Sequence, residues 1–472
     1  MSDHAEATAA GKTVLERVYE KCEQDKAAGK YAEFATIKDM GLDEGIKNLT
    51  PDHIEKVINS VIDNETGMRL KAYVNTCVHC GLCSEACHHY LSNFKNPKFS
   101  PVGKVKRTLW KILEKKGRLT PEEVREMRIV ANTECNLCRR CLQFCPFGID
   151  IAYEISLVRR ICAKLNVTPQ YIQDTAHSHA ATMNQMWVKE DEWADSLFWQ
   201  EDEARDEFPQ IRIPIDKEGA EYYYSVIGPE PKFRTQLIYQ AAAIFHEADI
   251  DWTMPSLPGW DNSDMCMFTG ENEMMMRIKK YHYESAMKLK NKKIVMGECG
   301  HAFRSVYDIG NRALGWRMPP IPMIHSIQFF YELIRDGKIK VREKMPETVT
   351  FHDPCNTVRG RGLHEYGRAV ARAFCRDFIE MTPSKEYNYC CNAGGGVINC
   401  GPPWKTKRVL SNRIKAEQLA QMADQGVTTV VSPCHNCHGG LEDIIHHYGL
   451  GLKLMFLGDI IYEYMEKTRA AE

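Results

Sequence analysis

The sequence predicts an α+β protein in which a helical, cysteine-rich part precedes two consecutive α/β units. Three features support this fold class. Two cysteine runs of identical spacing, at 77–87 and 135–145, have helical patterns between and around them. The part from 216 to 470 contains an internal repeat whose copies each have the order strand, helix, turn, helix, strand. The first 64 residues carry helix-start signals and an apolar helical face.

Composition narrows the classes of function. The 472 residues have a formal net charge of −2, and 26% of them are charged, so the chain lacks the positive field that nucleic-acid binding requires. Its N-terminus lacks the basic and apolar regions of a signal peptide, and no apolar run reaches the ~20 residues that span a bilayer. We therefore expect a cytoplasmic protein without a nucleic-acid partner.

The chain has 19 cysteines, which in a reducing compartment are poor candidates for structural disulfides. Metal ligation is then their expected role, and their spacing decides which metal is bound. Cys22 has no partner at ligand spacing, and we expect it to be buried or idle.

Residues 1–64 are expected to form an N-terminal helical segment. In the stretch TPDHIEKVINSVID, Thr50 is the N-cap and Pro51 is the first helical residue. The apolar face of this helix consists of Ile54, Val57, Ile58, Val61 and Ile62.

Residues 65–165 contain both cysteine runs and are expected to form a helical domain. One helix begins at Ser100 and ends at Gly117, and a second begins at Thr120 with a capping-box pattern. The following residues, 166–215, are rich in acidic side chains and tryptophan. We interpret them as an acidic connector on the surface, with a docking face as the alternative.

The internal repeat is seen when two stretches are aligned. YSVIGPEPKFR (224–234) aligns with VTFHDPCNTVR (349–359), which places Pro229 over Pro354. In each copy a cysteine follows 37 residues after that proline, and both copies then continue through a basic helix into a short β-branched strand. This register predicts two α/β domains, at 216–340 and 341–472.

The two cysteine runs have the spacing C-x2-C-x2-C-x3-C, which is typical of [4Fe-4S] ligation. Three thiolates at such intervals bind three irons, and in two-cluster ferredoxins the fourth thiolate comes from the last cysteine of the other run. Zinc sites usually separate two cysteine pairs instead. The predicted ligands are Cys77, Cys80, Cys83 and Cys145 for one cubane cluster, and Cys135, Cys138, Cys141 and Cys87 for the other.

The first run departs from the usual pattern, because His88 stands where proline commonly follows the last cysteine. We expect this residue to alter the local turn without changing the ligation. With its long helical interval, the module resembles the α-helical ferredoxin domain of the iron–sulfur subunits of succinate dehydrogenase and its relatives. That resemblance implies single-electron transfer without bond chemistry.

The second repeat copy carries five more cysteines in the pattern C-x34-CC-x42-CxxC. Five thiols exceed what one cubane needs, and two adjacent cysteines can both ligate only if the metal assembly spans two irons at that point. We expect glycines 394–396 to let the backbone approach this cluster closely. The five residues are Cys355, Cys390, Cys391, Cys434 and Cys437.

This pattern resembles the cysteine-rich CCG domain of heterodisulfide reductases. The resemblance implies that the five cysteines hold a catalytic noncubane [4Fe-4S] cluster that reduces a disulfide. The whole layout is similar to the family of the D subunit of heterodisulfide reductase, and closest to the K subunit of the sulfite-reductase-associated membrane complex and the equivalent subunits of cytochrome c complexes of sulfate reducers. The last interval is longer than is usual in that family, and Asn392 stands where glycine is common.

The first repeat copy lacks the five-cysteine set. Aligned residue for residue, Glu230 lies over Cys355, and Glu298 and His301 lie over Cys434 and Cys437. A shift of two residues instead places Cys299 over Cys437, and in both registers Met265 and Cys266 lie over the adjacent pair. We expect this half to be a scaffold without a cluster. The alternative is that Cys299, His301 and Glu298 line the catalytic cluster or bind a different metal.

Several polar residues beside the five cysteines have two interpretations. His435 and His438 could deliver protons to a cleaved thiolate or simply pack at the edge of the cluster. The group Arg359, Arg361 and His364 could orient an anionic substrate or form a solvated basic turn. Of two further cysteines, Cys375 is expected in the core and Cys400 is a candidate substitute ligand.

We expect an electron-transferring iron–sulfur enzyme subunit. The chain has no G-x-G-x-x-G nucleotide fingerprint after a strand, so electrons must enter from another protein. The resemblance implies a membrane cytochrome b-type subunit that exchanges electrons with quinone, and a multihaem cytochrome c as a further partner. It also implies a peripheral position on the inner face of the cytoplasmic membrane.

The substrate implied by the resemblance is a disulfide or trisulfide, on a small thiol protein or on a low-molecular-weight compound. One alternative is the iron–sulfur relay subunit of a flavin-dependent glycolate or glycerol-3-phosphate dehydrogenase, which shares this layout. A purely structural electron relay and a zinc-scaffold interaction protein are the alternatives from other classes.

Overall fold

The computed structural model describes residues 11–31, 40–63, 65–256, 258–310, 315 and 319–470. Within these residues a mainly helical part is followed by two parallel four-stranded sheets with helices around them. The α+β class is therefore confirmed. The domain boundaries at 64, 165, 215 and 340 stay predictions.

The helical part begins with two N-terminal helices and continues through both cysteine runs. Its helices are α1 (Val14–Ala27), α2 (Met40–Lys47), α3 (Pro51–Ile62), α4 (Glu65–Thr76), α5 (Leu82–Ala86), α6 (His88–Ser92), α7 (Pro101–Val105), α8 (Lys111–Glu114), α9 (Pro121–Thr133), α10 (Arg140–Gln143) and α11 (Ile151–Lys164). A π-helical segment, Lys106–Trp110, joins α7 to α8. Thr50, Ser100 and Thr120 are N-caps, as the sequence predicted.

The segment expected to be a surface connector forms two helices, α12 (Gln170–Thr182) and α13 (Glu190–Arg205). Trp193 of α13 is fully buried and stacks on Trp260, with ring centroids 4.2 Å apart. The expectation of a surface connector is therefore wrong for this tryptophan, because α13 covers the core of the first α/β unit. Phe198 and Trp199 of the same helix are exposed.

The first sheet has the strand order β2-β1-β3-β4 and is parallel throughout. Its strands are β1 (Tyr222–Ser225), β2 (Trp252–Thr253), β3 (Lys293–Met296) and β4 (Met323–His325). The helices of this unit are α14 (Glu230–Phe233), α15 (Gln236–Glu247), α16 (Cys266–Thr269), α17 (Asn272–Lys288), α18 (Gly300–Phe303) and α19 (Ser326–Arg335).

The second sheet has the order β6-β5-β7-β8, which is the order of the first sheet repeated. Its strands are β5 (Met345–Phe351), β6 (Cys375–Phe378), β7 (Thr429–Val431) and β8 (Lys453–Met455). The helices of this unit are α20 (Cys355–Val358), α21 (His364–Phe374), α22 (Lys405–Leu410), α23 (Arg413–Asp424), α24 (His435–Tyr448) and α25 (Leu457–Tyr464). The predicted repeat is confirmed.

The strand order decides where a site is formed. In such a parallel sheet the connections leave the two central strands on opposite faces, and this opens a crevice at their carboxyl ends. In the second unit the central strands are β5 and β7, and the chain reaches Cys355 just after β5 and Cys434 just after β7.

The two units share one hydrophobic core, in which Phe330 and Val226 of the first unit and Phe351 and Leu457 of the second are buried together. The N-terminal helix α1 packs on α23 of the second unit, and the backbone N–H groups of Val14 and Leu15 donate to the Asp424 carboxylate. In the part of the chain that the structure describes, helices capable of crossing a membrane, by length and apolar character, are absent.

Candidate metal-cluster sites

The two cysteine runs have the same unusual backbone conformation. In each run the central cysteine is flanked on both sides by residues with positive φ: His79 and Gly81 around the first, and Leu137 and Arg139 around the second. Residues other than glycine rarely have positive φ, and such strain concentrates at functional sites. The reversals of the backbone turn three cysteine side chains of each run toward one point.

Cysteines of the first run line a cavity together with one cysteine of the second run. The first run contributes three of them, and the last cysteine of the second run, Cys145, completes the four. Glu154 also lines the cavity, and burial raises the pKa of its carboxyl to about 8. The four cysteines are Cys77, Cys80, Cys83 and Cys145, of which Cys80 is exposed to solvent.

The second cavity is lined by the reciprocal set, Cys87, Cys135, Cys138 and Cys141. The buried Lys104 reaches it, with its Nζ 3.4 Å from the Cys87 sulfur. Burial alone would lower the pKa of this lysine, but the facing thiolate and Glu134 raise it. The structure thus brings together the crossed sets that the sequence predicted, and ligation by them stays a prediction.

The five cysteines of the second unit form one continuous group of sulfurs. Cys390 lies within hydrogen-bonding reach of Cys355 and Cys391, and Cys391 in turn within reach of Cys437. Cys437 then contacts Cys434. All five are buried, with exposed fractions of 8% or less. Three separated stretches of the chain therefore meet at the crevice between β5 and β7.

Two of these thiols are held in a state suited to metal ligation. Hydrogen bonds from Cys390 and Cys437 hold the pKa of Cys391 well below its usual range. Hydrogen bonds from Cys299 and Cys437 do the same for the pKa of Cys434. The thiolate is the form of cysteine that binds metals.

The chemistry of the donors fits iron–sulfur clusters. Soft thiolates select iron–sulfur clusters, zinc or copper(I), and a structural zinc ion takes four ligands in a tetrahedron. Each of the two cavities offers four sulfurs, which suits a cubane. The five sulfurs of the second unit exceed the needs of one zinc ion, whereas an assembly of several irons can use them.

Two histidines lie among these sulfurs, and the sequence interpretation missed them. The ligand atoms of His352, Cys391 and Cys437 lie within 4.8 Å of one another. His352 immediately follows Phe351, the last residue of β5, which is the sequence signal that could have identified it. Its pKa is lowered, first by burial and then by the nearby Lys415, and it is raised in part by Cys391.

The second histidine, His88, connects the helical part to the second unit. Its Nε2 lies 3.0 Å from Asn136 Oδ1 and 3.1 Å from Asn392 Oδ1. Its ring also lies within 4.8 Å of the sulfurs of Cys138 and Cys390. The residue expected only to alter a turn therefore sits between the second cavity and the five sulfurs.

The glycines after the cysteine pair approach another part of the chain than expected. Gly395 has φ +67°, and a Cβ on it would lie 2.4 Å from the Asn136 carbonyl oxygen. A Cβ on Gly396 would lie 2.2 Å from Ile172. These glycines let the loop pack on the second cysteine run and on α12, and the expected close approach to the cluster stays a prediction.

Arg359 was expected either to orient an anionic substrate or to lie in a solvated basic turn, and its position fits neither interpretation. This residue is buried, and its guanidinium donates to the carbonyl oxygens of Cys138 at 2.9 Å and Glu386 at 2.7 Å, and also to that of Asn388. It therefore links two segments and faces neither solvent nor a substrate. His438 stacks on Phe456 with ring centroids 3.4 Å apart, which supports the packing role.

The remaining candidates lie away from the five sulfurs. Cys266 is buried in the core of the helical part together with Met265. Cys400 is buried, and its sulfur lies 3.5 Å from the Asn132 carbonyl oxygen. Cys375 is buried in the core, as predicted.

The structure corrects the register between the two repeat copies. Cys299 is the N-cap of α18 and Cys434 the N-cap of α24, and both have extended backbones with φ −142° and −163°. Each donates its N–H to a carbonyl two residues earlier. Cys299 is therefore the counterpart of Cys434, and both expected registers, with Glu298 over Cys434 and with Cys299 over Cys437, are wrong.

Comparison with protein families supports the two kinds of site. Residues 73–149 match the 4Fe-4S dicluster domain, and residues 349–442 match the cysteine-rich domain CCG. The chain is also similar to the "Hdr-like menaquinol oxidoreductase iron-sulfur subunit 2" of Archaeoglobus fulgidus, with 24% identity over 78% of this chain and 76% of that protein.

Two further relatives extend the comparison. The D subunit of the dihydromethanophenazine:CoB--CoM heterodisulfide reductase of Methanosarcina barkeri is 25% identical over 78% of this chain and 88% of its own length. The "EtfAB:quinone oxidoreductase" of Syntrophomonas wolfei is 22% identical over 68% of this chain and 48% of its own length. No solved structure matches the chain significantly.

Proposed function

Given that this chain is an iron–sulfur protein of the family to which the D subunit of heterodisulfide reductase belongs, we propose that it reduces a disulfide or trisulfide at a noncubane [4Fe-4S] cluster. Two cubane clusters in the helical part supply the electrons. The cluster is held by Cys355, Cys390, Cys391, Cys434 and Cys437, and the cubanes by the two crossed sets of four cysteines.

One observation carries this proposal. Five buried thiols from three separated stretches form a continuous group at the crevice where parallel sheets bind their ligands. A purely structural zinc site has no use for the fifth sulfur. When bound, the clusters supply one-electron transfer, and the five-sulfur site supplies iron to which a substrate sulfur can bind.

The arrangement of the three sites supports one order of electron transfer. Cys80, at the first cavity, is exposed, whereas the five sulfurs are buried. Cys138, at the second cavity, lies within 4.8 Å of Cys390. With clusters bound, electrons would enter at the first cavity, cross the second and arrive at the five-sulfur site, where two electrons and two protons would convert one disulfide into two thiols.

The chain's own residues create the conditions for this reaction. His88 and Arg359 fix the second cysteine run against the loop that carries the cysteine pair. Burial lowers the pKa of Lys415 to about 7, and this lysine donates to Asn388 Oδ1 at 3.1 Å behind the five sulfurs. These contacts hold the sulfurs in place and keep bulk water away from them.

The electron donor is proposed to be a membrane subunit of cytochrome b type that exchanges electrons with a quinone, with a multihaem cytochrome c as a further partner. The Archaeoglobus relative is named as an iron–sulfur subunit of a menaquinol oxidoreductase, which supports this choice. The proposed contact surface surrounds Cys80 and carries the exposed apolar side chains Val78, Leu82 and Phe147. This surface would hold the protein on the inner face of the membrane.

Within the family, we assign the chain to the type of the K subunit of the sulfite-reductase-associated membrane complex. The support is the first unit, in which the described residues provide only part of a five-cysteine group: Cys299 corresponds to Cys434, but Glu230 begins α14 where Cys355 begins α20. The substrate is then a disulfide or trisulfide on a small thiol protein, or a low-molecular-weight disulfide.

The test combines metal analysis with spectroscopy on anaerobically purified protein. We expect about twelve irons per chain, from three four-iron clusters, and a new paramagnetic signal when the oxidised protein meets a thiol product. About eight irons without such a signal would contradict the proposal. Zinc in place of iron would contradict both kinds of cluster.

A second candidate is an iron–sulfur relay fed by a flavoprotein. The similarity to the Syntrophomonas wolfei protein favours it, since that protein is named as an oxidoreductase between the flavoprotein EtfAB and a quinone. In a relay the five-sulfur cluster passes electrons without binding a substrate sulfur. Thiol would then leave the spectrum unchanged, while a reduced flavoprotein would reduce the chain rapidly.

A further inference from the structure

The first unit extends a loop into the five-sulfur site of the second. This loop, residues 297–299, connects β3 to α18 and corresponds to the loop that carries Cys434 in the second unit. Its cysteine, Cys299, is fully buried and lies within hydrogen-bonding reach of the Cys434 sulfur. A sixth sulfur thus joins the group, and it comes from the half that was expected to be only a scaffold.

Backbone and side-chain contacts fix this loop against the second unit. The N–H of His435 donates to the Glu298 carbonyl oxygen at 3.1 Å. The Glu298 carboxylate accepts the N–H groups of Leu457 at 3.0 Å and Gly458 at 2.7 Å. The position of the residue after Glu298 is therefore set by three hydrogen bonds to the unit that holds Cys434.

Close packing on the other side of Cys299 also fixes its position against the second unit. A Cβ on Gly300 would lie 3.0 Å from the Thr357 methyl group and 3.3 Å from the Thr357 nitrogen. The short helix α18 thus lies directly on α20, the helix that begins with Cys355. Cys299 is held between the two loops that carry Cys355 and Cys434.

Among the described neighbours of the Cys299 thiol, one hydrogen-bond acceptor is available to its S–H group. Its sulfur lies 3.4 Å from His301 Nδ1, but that nitrogen already pairs with Asn436 Nδ2 at 2.8 Å. An imidazole nitrogen has a single lone pair or a single hydrogen, so this shorter contact occupies it. The Cys434 sulfur remains, and a metal-bound thiolate is a charge-assisted acceptor.

We propose that Cys299 donates its S–H to the Cys434 sulfur and thereby raises the reduction potential of the cluster at the five-sulfur site. The inference rests on the proposed function. Hydrogen bonds to cluster sulfurs are one of the factors that set the potential, because they stabilise the more negative, reduced state. Cys299 is then a positioning residue that acts through Cys434, and the first unit is required for the potential although it binds no cluster.

The test compares Cys299→Ala, Cys299→Ser and a control, Cys266→Ala, in the full chain. Cys266 is a buried cysteine of the same unit that lies away from the five sulfurs. The measurements are iron per chain and a redox titration followed by electron paramagnetic resonance. We expect wild-type iron in all three variants, a lower potential in Cys299→Ala, and a potential close to wild type in Cys299→Ser and in the control.

Each other outcome overturns part of the argument in a distinguishable way. An unchanged potential in Cys299→Ala, or equal decreases in the Ala and Ser variants, would refute the hydrogen bond. Loss of iron in Cys299→Ala with altered g-values in Cys299→Ser would make Cys299 an iron ligand instead of a donor. Only about eight irons in the wild type would refute the proposed function as well as this inference.

Discussion

The Cys138 sulfur lies within 4.8 Å of the Cys390 sulfur, although one belongs to the second cysteine run and the other to the second α/β unit. Two cluster sites therefore share a boundary made of two ligand candidates. Because this distance is short, electrons can pass directly between the helical part and the crevice. It also predicts that a defect at one site affects the other.

Replacement of Cys138 by serine should change two clusters. We expect loss of the second cubane, about four irons of about twelve, together with an altered signal of the five-sulfur cluster, because Cys390 loses its neighbour. Cys80→Ser is the matched control, since Cys80 occupies the same central position in the exposed first run. Iron analysis and electron paramagnetic resonance measure both variants. An unaltered five-sulfur signal in Cys138→Ser would contradict the shared boundary.

Lys104 should raise the potential of the second cubane. Its Nζ lies 3.4 Å from the Cys87 sulfur in a buried position, where a positive charge favours the reduced cluster. Lys104→Met should lower that potential, as measured by redox titration. Lys106→Met, at a nearby exposed position, should leave it unchanged. Equal shifts of the reduction potential in the two variants would show that the contact between Lys104 and Cys87 does not raise it.

Gly395→Ala should separate the cysteine-pair loop from the helical part. The added Cβ would lie 2.4 Å from the Asn136 carbonyl oxygen, and the positive φ adds strain for any other residue. We expect a lower thermal midpoint and loss of iron from the five-sulfur site. Gly394→Ala is the control, because a Cβ there meets nothing within 4 Å. Similar stability of the two variants would disprove the close approach.

Asn392→Gly should destabilise the same contact through lost hydrogen bonds. Asn392 has φ 60°, which glycine adopts without strain, and its side chain bonds the Arg408 carbonyl oxygen at 2.6 Å and the ring of His88 at 3.1 Å. Loss of these buried bonds should cost about 1–3 kcal/mol. Asn166→Gly, at an exposed position with φ 57°, provides the control. Thermal unfolding under anaerobic conditions compares the two, and equal midpoints would show that the buried bonds contribute little.

Glu298 should make the stability fall as the pH rises. Burial raises the pKa of its carboxyl to about 8, whereas the unfolded value is about 4.3. The folded state therefore binds the additional proton between these two values, and the stability decreases as the pH rises from about 4.3 to about 8.

The measurement for Glu298 is the thermal midpoint at about pH 6 and about pH 9. The wild type should lose about 3 °C between them. Glu298→Gln keeps the shape without a titrating group, so its midpoint should change less. A loss as large as that of the wild type would attribute the pH dependence to other groups.

Cysteine spacing was enough to predict the three neighbouring sulfurs of each set, because the backbone reversals within a run are local, and the arrangement known from two-cluster ferredoxins supplied the crossed fourth cysteine. Cys145 lines the first cavity and Cys87 the second, as expected. The repeat predicted two α/β units of the same layout, since Pro229 and Pro354 stand at equivalent turns, but it did not predict their common strand order.

Contacts between distant segments could not be predicted in this way. The counterpart of Cys434 was misassigned because sequence alignment of the strands cannot detect where the chain leaves β3, whereas the N-cap at Cys299 fixes it. His88 was interpreted as a local turn residue because its partner Asn392 is distant in sequence. A glycine such as Gly395 indicates that something lies close, but the sequence does not identify the neighbour.

The contact of α1 with Asp424 imposes an order on biosynthesis. A ribosome releases Val14 and Leu15 about 410 residues before the carboxylate that accepts their N–H groups. The N-terminal helix must therefore wait for its acceptor, and the thiols of the second unit, which share a core with Val18, converge only then. The five-sulfur site is thus complete only after Cys437 has been translated, whereas both cysteine runs precede it in the chain and become available earlier.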